Sequence, residues 1–187
     1  MDTNYNISFG AKFIRPAVVN KLSSDNQYLP HNISFVKINP KSNDDLRVLK
    51  DLCSSWAPQT FVDDICWDVF TILRQNPKDG FVYAATEQLN KFSKLEPKKV
   101  LGLVELTPDG DKQVFIEYLQ VNPKYITDRK NSPIKGIGTS ILNCLKSLYK
   151  DKKISLMSVE SKAVEQFYIN NGFKANPAVK QNFEWNV

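Results

Sequence analysis

Hydrophobic residues recur at two different periods along this chain, and the changes of period mark out its elements. Ile33–Ile38 (ISFVKI) alternates apolar and polar side chains, the two-residue repeat of a strand with one buried face. Leu46, Leu49, Leu52, Cys53 and Trp56 then recur at helical spacing behind the helix start Asn43-Asp44-Asp45. Pro58 stops that helix, and Thr60 is placed to cap a second one. The second helix has Val62, Ile65, Cys66, Val69, Ile72 and Leu73 as its apolar positions. Asp63 and Asp64 stand in its first turn, where the helix dipole favours negative charge.

Three strands follow, at Phe81–Thr86, Val100–Leu106 and Val114–Val121. Between the last two, Thr107-Pro108-Asp109-Gly110-Asp111 has turn chemistry, which predicts an antiparallel hairpin. Beyond Gly138, Ile141, Leu142, Leu145, Leu148 and Tyr149 line one helical face. Ile154–Val159 reads as a buried strand, Ser161 as the cap of a helix running to Asn171, and Gly172 as its C-terminal stop. Phe173–Val187 supplies one or two last strands. The pattern therefore predicts a mixed α/β (α+β) architecture, a central mixed sheet of about six to seven strands flanked by about four helices. Residues 1–30 carry weaker signals and fit an N-terminal arm or an extra strand, interrupted at Gly10 and Pro16. Residues 31–187 form one domain.

Composition narrows the chemistry. The net charge of +5 suits an acidic ligand such as a nucleotide cofactor, or nucleic acid, although the lysines are spread along the chain. No apolar run approaches the ~20 residues of a membrane span, and the polar N-terminus lacks a signal-peptide pattern. Cys53, Cys66 and Cys144 are widely spaced without a C-x-x-C, which argues against a disulfide framework or a zinc site. They read as buried, inert thiols, and the expectation is a cytoplasmic protein with no membrane partner. With a single histidine, His31, neither a His-based triad nor a His-rich metal site is expected, and no metal is.

The strongest chemical signal is Lys135-Gly136-Ile137-Gly138-Thr139-Ser140, which follows the strand VFIEYLQV and a loop and opens a helix. Two glycines let a backbone approach a ligand closely, and the first N–H groups of a helix point outward at anions. The N–H groups of Gly136, Ile137, Gly138 and Thr139, with the charge of Lys135, make an anion cradle; the alternative is a plain tight turn before a helix.

This cradle stands after Leu119-x-Val121-x-Pro123-x-Tyr125 and before Phe167-Tyr168-x-x-x-Gly172-Phe173. In that combination the chain resembles the GNAT superfamily of N-acetyltransferases over about Ile33–Val187. The resemblance implies acetyl-CoA as cofactor and an amine of a small molecule or protein as acceptor, attacked directly in a ternary complex. It implies pyrophosphate on the cradle, the pantetheine arm along Leu119 and Val121, and Val121 N–H as the oxyanion donor. Ser161 stands at a cofactor-side position where family members commonly have Asn. Tyr168 would donate to the departing sulfur. Glu117, placed by strand alternation on the same face as Leu119 and Val121, is the expected base, with Glu105 on the partner strand as the competitor. Trp56, Phe61, Trp67, Asp63 and Asp64 are expected near the acceptor. The chain departs from the family at Pro133, where Arg or Gln is usual, and in the longer stretch Ile126–Ile134. Those departures keep two other readings open: a GNAT-like toxin acetylating charged tRNA, and a non-catalytic CoA- or partner-binding module. A homodimer formed by exchange of the arm or the last strand is also compatible with the sequence.

Overall fold

The structure is a computed structural model and describes residues 10–56, 60–89, 94–126 and 131–186. Among the described residues nine strands form one sheet: β1 (Lys12–Leu22), β2 (Tyr28–Lys37), β3 (Phe81–Thr86), β4 (Val100–Asp109), β5 (Gln113–Val121), β6 (Ile134–Lys135), β7 (Lys153–Met157), β8 (Lys174–Ala175) and β9 (Asn182–Trp185). Their order across the sheet is β6-β1-β2-β3-β4-β5-β7-β9-β8. Among the described residues β5 and β7 are the parallel pair, and the other neighbours are antiparallel. The count exceeds the six to seven strands expected from periodicity. β6 and β8 span two residues each, too short to show any repeat, and β1 was obscured by its proline.

β1 tolerates Pro16 because of its place in the sheet. Pro16 faces Ser34 of β2, and β6 covers the other side of β1 only at Asn20 and Lys21. Among the described residues the edge at Pro16 has no second partner strand to miss an N–H. β2 starts at Tyr28, ahead of the strand expected from Ile33, with Pro30 facing Asn20. β6 hangs on β1 through Asn20 and Lys21, and Leu22 N–H donates to the Pro133 carbonyl at 2.9 Å.

Helices cover both faces. α1 (Asn43–Trp56) and α2 (Val62–Asp68) lie on one, where Leu49, Leu52, Val62, Ile65 and Val69 pack on Val36, Ala84 and Leu103. α3 (Ile137–Leu148) and α4 (Lys162–Asn170) lie on the other, where Ile141, Leu142, Leu145 and Tyr168 pack on Phe35, Val104 and Ile116. Adjacent strand residues such as Leu103 and Val104 thus serve opposite cores, as strand alternation requires. Each such fully buried aliphatic side chain contributes about 1.5–3 kcal/mol.

Local chemistry differs from expectation at two points. Thr60 does not cap α2: its hydroxyl is buried with no partner among the described residues, and Phe61 holds the cap position. The α2 axis continues as one turn of π-helix over Val69–Leu73, where Arg74 N–H reaches back to the Val69 carbonyl. Cys53 of α1 and Cys66 of α2 are joined as a disulfide, a correction to the reading of both as inert thiols. Their helices pack as a pair and bring the two sulfurs together, which sequence spacing could not show. Cys144 is a buried free thiol. Pro58, Arg129 and Lys130 lie outside the described residues.

Candidate active site

The site begins where β5 and β7 part. They pair in parallel from Gln113/Lys153 to Ile116/Leu156 and no further. Past that point β5 stays on β4, while β7 stays on β9 through Met157. A β-bulge lies where they part: Leu106 faces Ile116 and Glu105 faces Tyr118, leaving Glu117 as an extra residue on β5. A bulge bends its strand and adds twist. It also interrupts alternation, so the expected shared face of Glu117 with Leu119 and Val121 does not carry through. Leu119 and Val121 pack toward the α3/α4 core and Tyr118 toward the α1/α2 core, while Glu117 is exposed at the opening.

A cavity of about 520 Å³ occupies the gap. Its walls come from β5 (Glu117 to Val121), the glycine loop (Lys135 to Thr139), the end of β7 and α4. The backbone of β5 presents donors to it. Asn122 N–H donates to the Leu101 carbonyl of β4 at 2.9 Å. By alternation the N–H groups of Leu119 and Val121 point to the opposite side, the one β7 has left.

The glycine loop forms another wall. Gly136 has φ +79°, a left-handed conformation that costs a side chain about 1 kcal/mol or more. That turn aims the start of α3 into the cavity, where Ile137, Gly138 and Thr139 have no intrahelical acceptor for their N–H groups. Gly138 serves packing as well as approach: a Cβ there would lie 3.0 Å from Phe167 Cζ. Lys135 stands at the rim with its Nζ 4.1 Å from the ring centroid of Tyr28, whose O–H donates to the Ser132 carbonyl at 2.7 Å.

No family model matches the chain, and no curated protein matches it by sequence. Solved structures do. A protein assigned to the GNAT family of acetyltransferases, from Desulfovibrio desulfuricans, superposes with a TM-score of 0.57 at 12% identity, over 82% of this chain and 98% of its own. The chain has the GNAT fold. Ard1 from Thermoplasma volcanium superposes with a TM-score of 0.50, again at 12% identity, over 81% of this chain and 94% of its own.

Within this GNAT fold most of the residues singled out from sequence converge. Glu117, Leu119, Val121, Lys135, Gly136, Ile137, Gly138, Thr139 and Tyr168 all line the one cavity. Ser161 does not. It occupies the N-cap of α4 without a side-chain cap bond, and Ala163, Val164 and Phe167 line the wall instead. Tyr168 is buried against Phe167, Phe173 and Phe183, and that burial pushes its phenol up to about 12, so it stays protonated. Of the residues expected near the acceptor, Phe61 lines the cavity, Trp56 is core, and Trp67 lies on the outer surface.

Two site residues carried no sequence signal. Gln120 ties β5 to α2: its Oε1 accepts from Phe61 N–H at 3.1 Å and its Nε2 donates to the Val121 carbonyl. Ser158, just past β7, lines the cavity with a buried hydroxyl that has no partner among the described residues. Glu105 sits behind Glu117 on the α2 side of the sheet and is 3% exposed. Burial first, then the negative charges of Asp68, Glu117 and Asp64, push its carboxyl up to about 8. Among the described residues no cluster of His, Cys, Asp or Glu is arranged to hold a metal, and no helix is long and apolar enough to cross a membrane.

Proposed function

We propose that this chain is an acetyl-CoA-dependent N-acetyltransferase that transfers an acetyl group to a primary amine by direct attack in a ternary complex. The observation that carries this reading is the parting of β5 and β7, which turns the N–H groups of Leu119 and Val121 into a gap that the helix-start N–H groups of α3 also face. The cavity fits an elongated anionic thioester: it has N–H donors and Lys135 at the anion end, apolar walls between, and beside them the Ser158 hydroxyl, which has no partner among the described residues.

Acetyl-CoA supplies an activated acyl group as a thioester. The chain supplies position, charge and proton transfer. Gly136, Ile137, Gly138 and Thr139 hold the pyrophosphate through backbone N–H groups, with Lys135 adding positive charge. Leu119 N–H orients the pantetheine arm, and Val121 N–H meets the negative charge that develops on the carbonyl oxygen. Glu117, at the opening, takes a proton from the attacking nitrogen directly or through one water as the new C–N bond forms and the C–S bond breaks. Tyr168 O–H faces the departing sulfur. A phenol near 12 is a weaker acid than a thiol near 8.5, so Tyr168 stabilises the thiolate as a hydrogen-bond donor rather than giving up its proton.

The test is the melting temperature with saturating acetyl-CoA, with ATP as a general polyanion control. At ~100 times its dissociation constant a ligand adds about 2.7 kcal/mol, a rise of roughly 5–10 °C for a chain of this size. A rise with acetyl-CoA and little with ATP is expected. No rise would remove the cofactor and with it the transferase reading.

A further inference from the structure

A second cavity, of about 540 Å³, shares no lining residue with the first. It sits where β1 begins, β2 ends and β3 begins, under the last turns of the α2 axis. Ile38, Val69, Leu73 and Val82 give it an apolar floor that belongs to the α1/α2 core, not to the α3/α4 core on which the first cavity rests. Val69 and Leu73 are the first and last residues of the π-helical turn, a rare local geometry that recurs at functional sites. The volume lies within the range of small-molecule pockets, which combine apolar walls with a few placed charges.

The charges here are two lysines. Lys12 and Lys37 face each other as cross-strand partners of β1 and β2, and both line the cavity. Like charges directly opposite on a sheet are destabilising. The Lys37 ammonium is held 3.8 Å from the ring centroid of Phe81, another lining residue, and burial first, then Lys12, lower its proton affinity. Among the described residues neither lysine forms an ion pair, and no acid lines the cavity. The carboxylate of Asp45 is already engaged: wholly buried, it accepts from Ala11 N–H at 3.0 Å and from Asn39 N–H at 2.8 Å. Those bonds fasten together the two backbones that carry the lysines. The fold thus holds two ammonium groups side by side above an apolar floor, with no anion of the described chain between them.

We infer that this second cavity binds an alkyl carboxylate, with its head group between Lys12 and Lys37 and its chain against Ile38, Val69 and Leu73. One anion between the two ammonium groups replaces a repulsion by two charge-assisted hydrogen bonds. Each methylene that leaves water for the apolar floor adds to the affinity. Beyond the lysines no lining side chain among the described residues is charged, so a nucleotide or a sugar phosphate would leave its remaining polar groups unmet. The site is independent of the transferase reading.

The experiment is calorimetric titration of octanoate into the full chain, with 1-octanol as the same chain without the charge and acetate as the charge without the chain. Octanoate should bind at least about tenfold more tightly than either control. Lys12→Gln/Lys37→Met removes both ammonium groups and leaves an unbranched apolar side chain on the Phe81 ring, and it should weaken octanoate by about tenfold or more while leaving 1-octanol unchanged. Lys12 is exposed, so Lys12→Gln alone keeps the fold and decides the matter if the double variant unfolds, with a loss of about threefold expected. Absence of octanoate binding, equal affinity for 1-octanol, or unchanged affinity in the folded variants would overturn the proposal. Displacement of octanoate by acetyl-CoA would place it in the first cavity and overturn the proposal as well. If acetyl-CoA itself fails to bind, the transferase reading falls, and the lysine variants still decide the second site.

Discussion

Replacing Glu105 by Gln removes the one carboxyl whose proton affinity the fold changes most among the described acids. In the unfolded chain this group ionises near 4.5, and in the folded one near 8. Each tenfold change in proton affinity is about 1.4 kcal/mol, so the ionised group costs the folded state up to about 5 kcal/mol relative to the neutral one. The sign follows from linkage. Between 4.5 and 8 the folded state binds more protons than the unfolded one, so stability falls as pH rises through that window. Its favourable contribution is complete below the unfolded value and lost above the folded one. From pH 6 to pH 9 the loss is about 2.5 kcal/mol. Urea unfolding of wild type and Glu105→Gln at both pH values isolates it, because every other titrating group is common to the two proteins. Wild type should lose about 2.5 kcal/mol more than the variant over that interval, and the variant should be the more stable at pH 9. Parallel pH profiles would refute the reasoning, since they would mean that Glu105 ionises alike in both states.

Tyr168→Phe deletes the donor to sulfur while keeping the ring among Phe167, Phe173 and Phe183, so kcat should fall roughly 10- to 100-fold with acetyl-CoA affinity nearly unchanged; steady-state kinetics against titrated affinity separates the two. Gly138→Ala places a methyl 3.0 Å from the Phe167 ring, and a loss of roughly 1–3 kcal/mol in urea unfolding with weaker acetyl-CoA binding is expected. An unperturbed Gly138→Ala would show that Phe167 yields freely and that the glycine is not needed there.

Much of this site was legible in the sequence because it is local. The glycine loop, the helix it opens and Tyr168 with Gly172-Phe173 each lie within a short segment, where turn chemistry and periodicity act. Leu119 and Val121 came instead from the resemblance to the GNAT superfamily, as did the role of Tyr168, and the cavity walls include all three. What escaped depends on residues far apart in the chain. Gln120 anchors Phe61 across 59 positions, and no pattern in either segment announces it. Ser158 borders the cavity at the point where β5 has left β7, a meeting of two strands that neither segment shows alone. Alternation misplaced Glu117 because a bulge adds a residue to one strand alone, which only the partner strand reveals. The Cys53–Cys66 link likewise depends on how two helices are laid side by side.

The two residues immediately before Gly136 are strand residues of β6, and they are fastened to β1, the first described strand of the chain. The glycine loop is therefore held from outside its own strand–loop–helix segment, at the far margin of the sheet. A graft that moved only residues 113–148 into another scaffold would carry the sequence of the cradle without its anchor. Conversely, shifting the β1–β2 hairpin by a single residue would drag the loop along, so chemistry encoded in the second half of the chain inherits its alignment from the first.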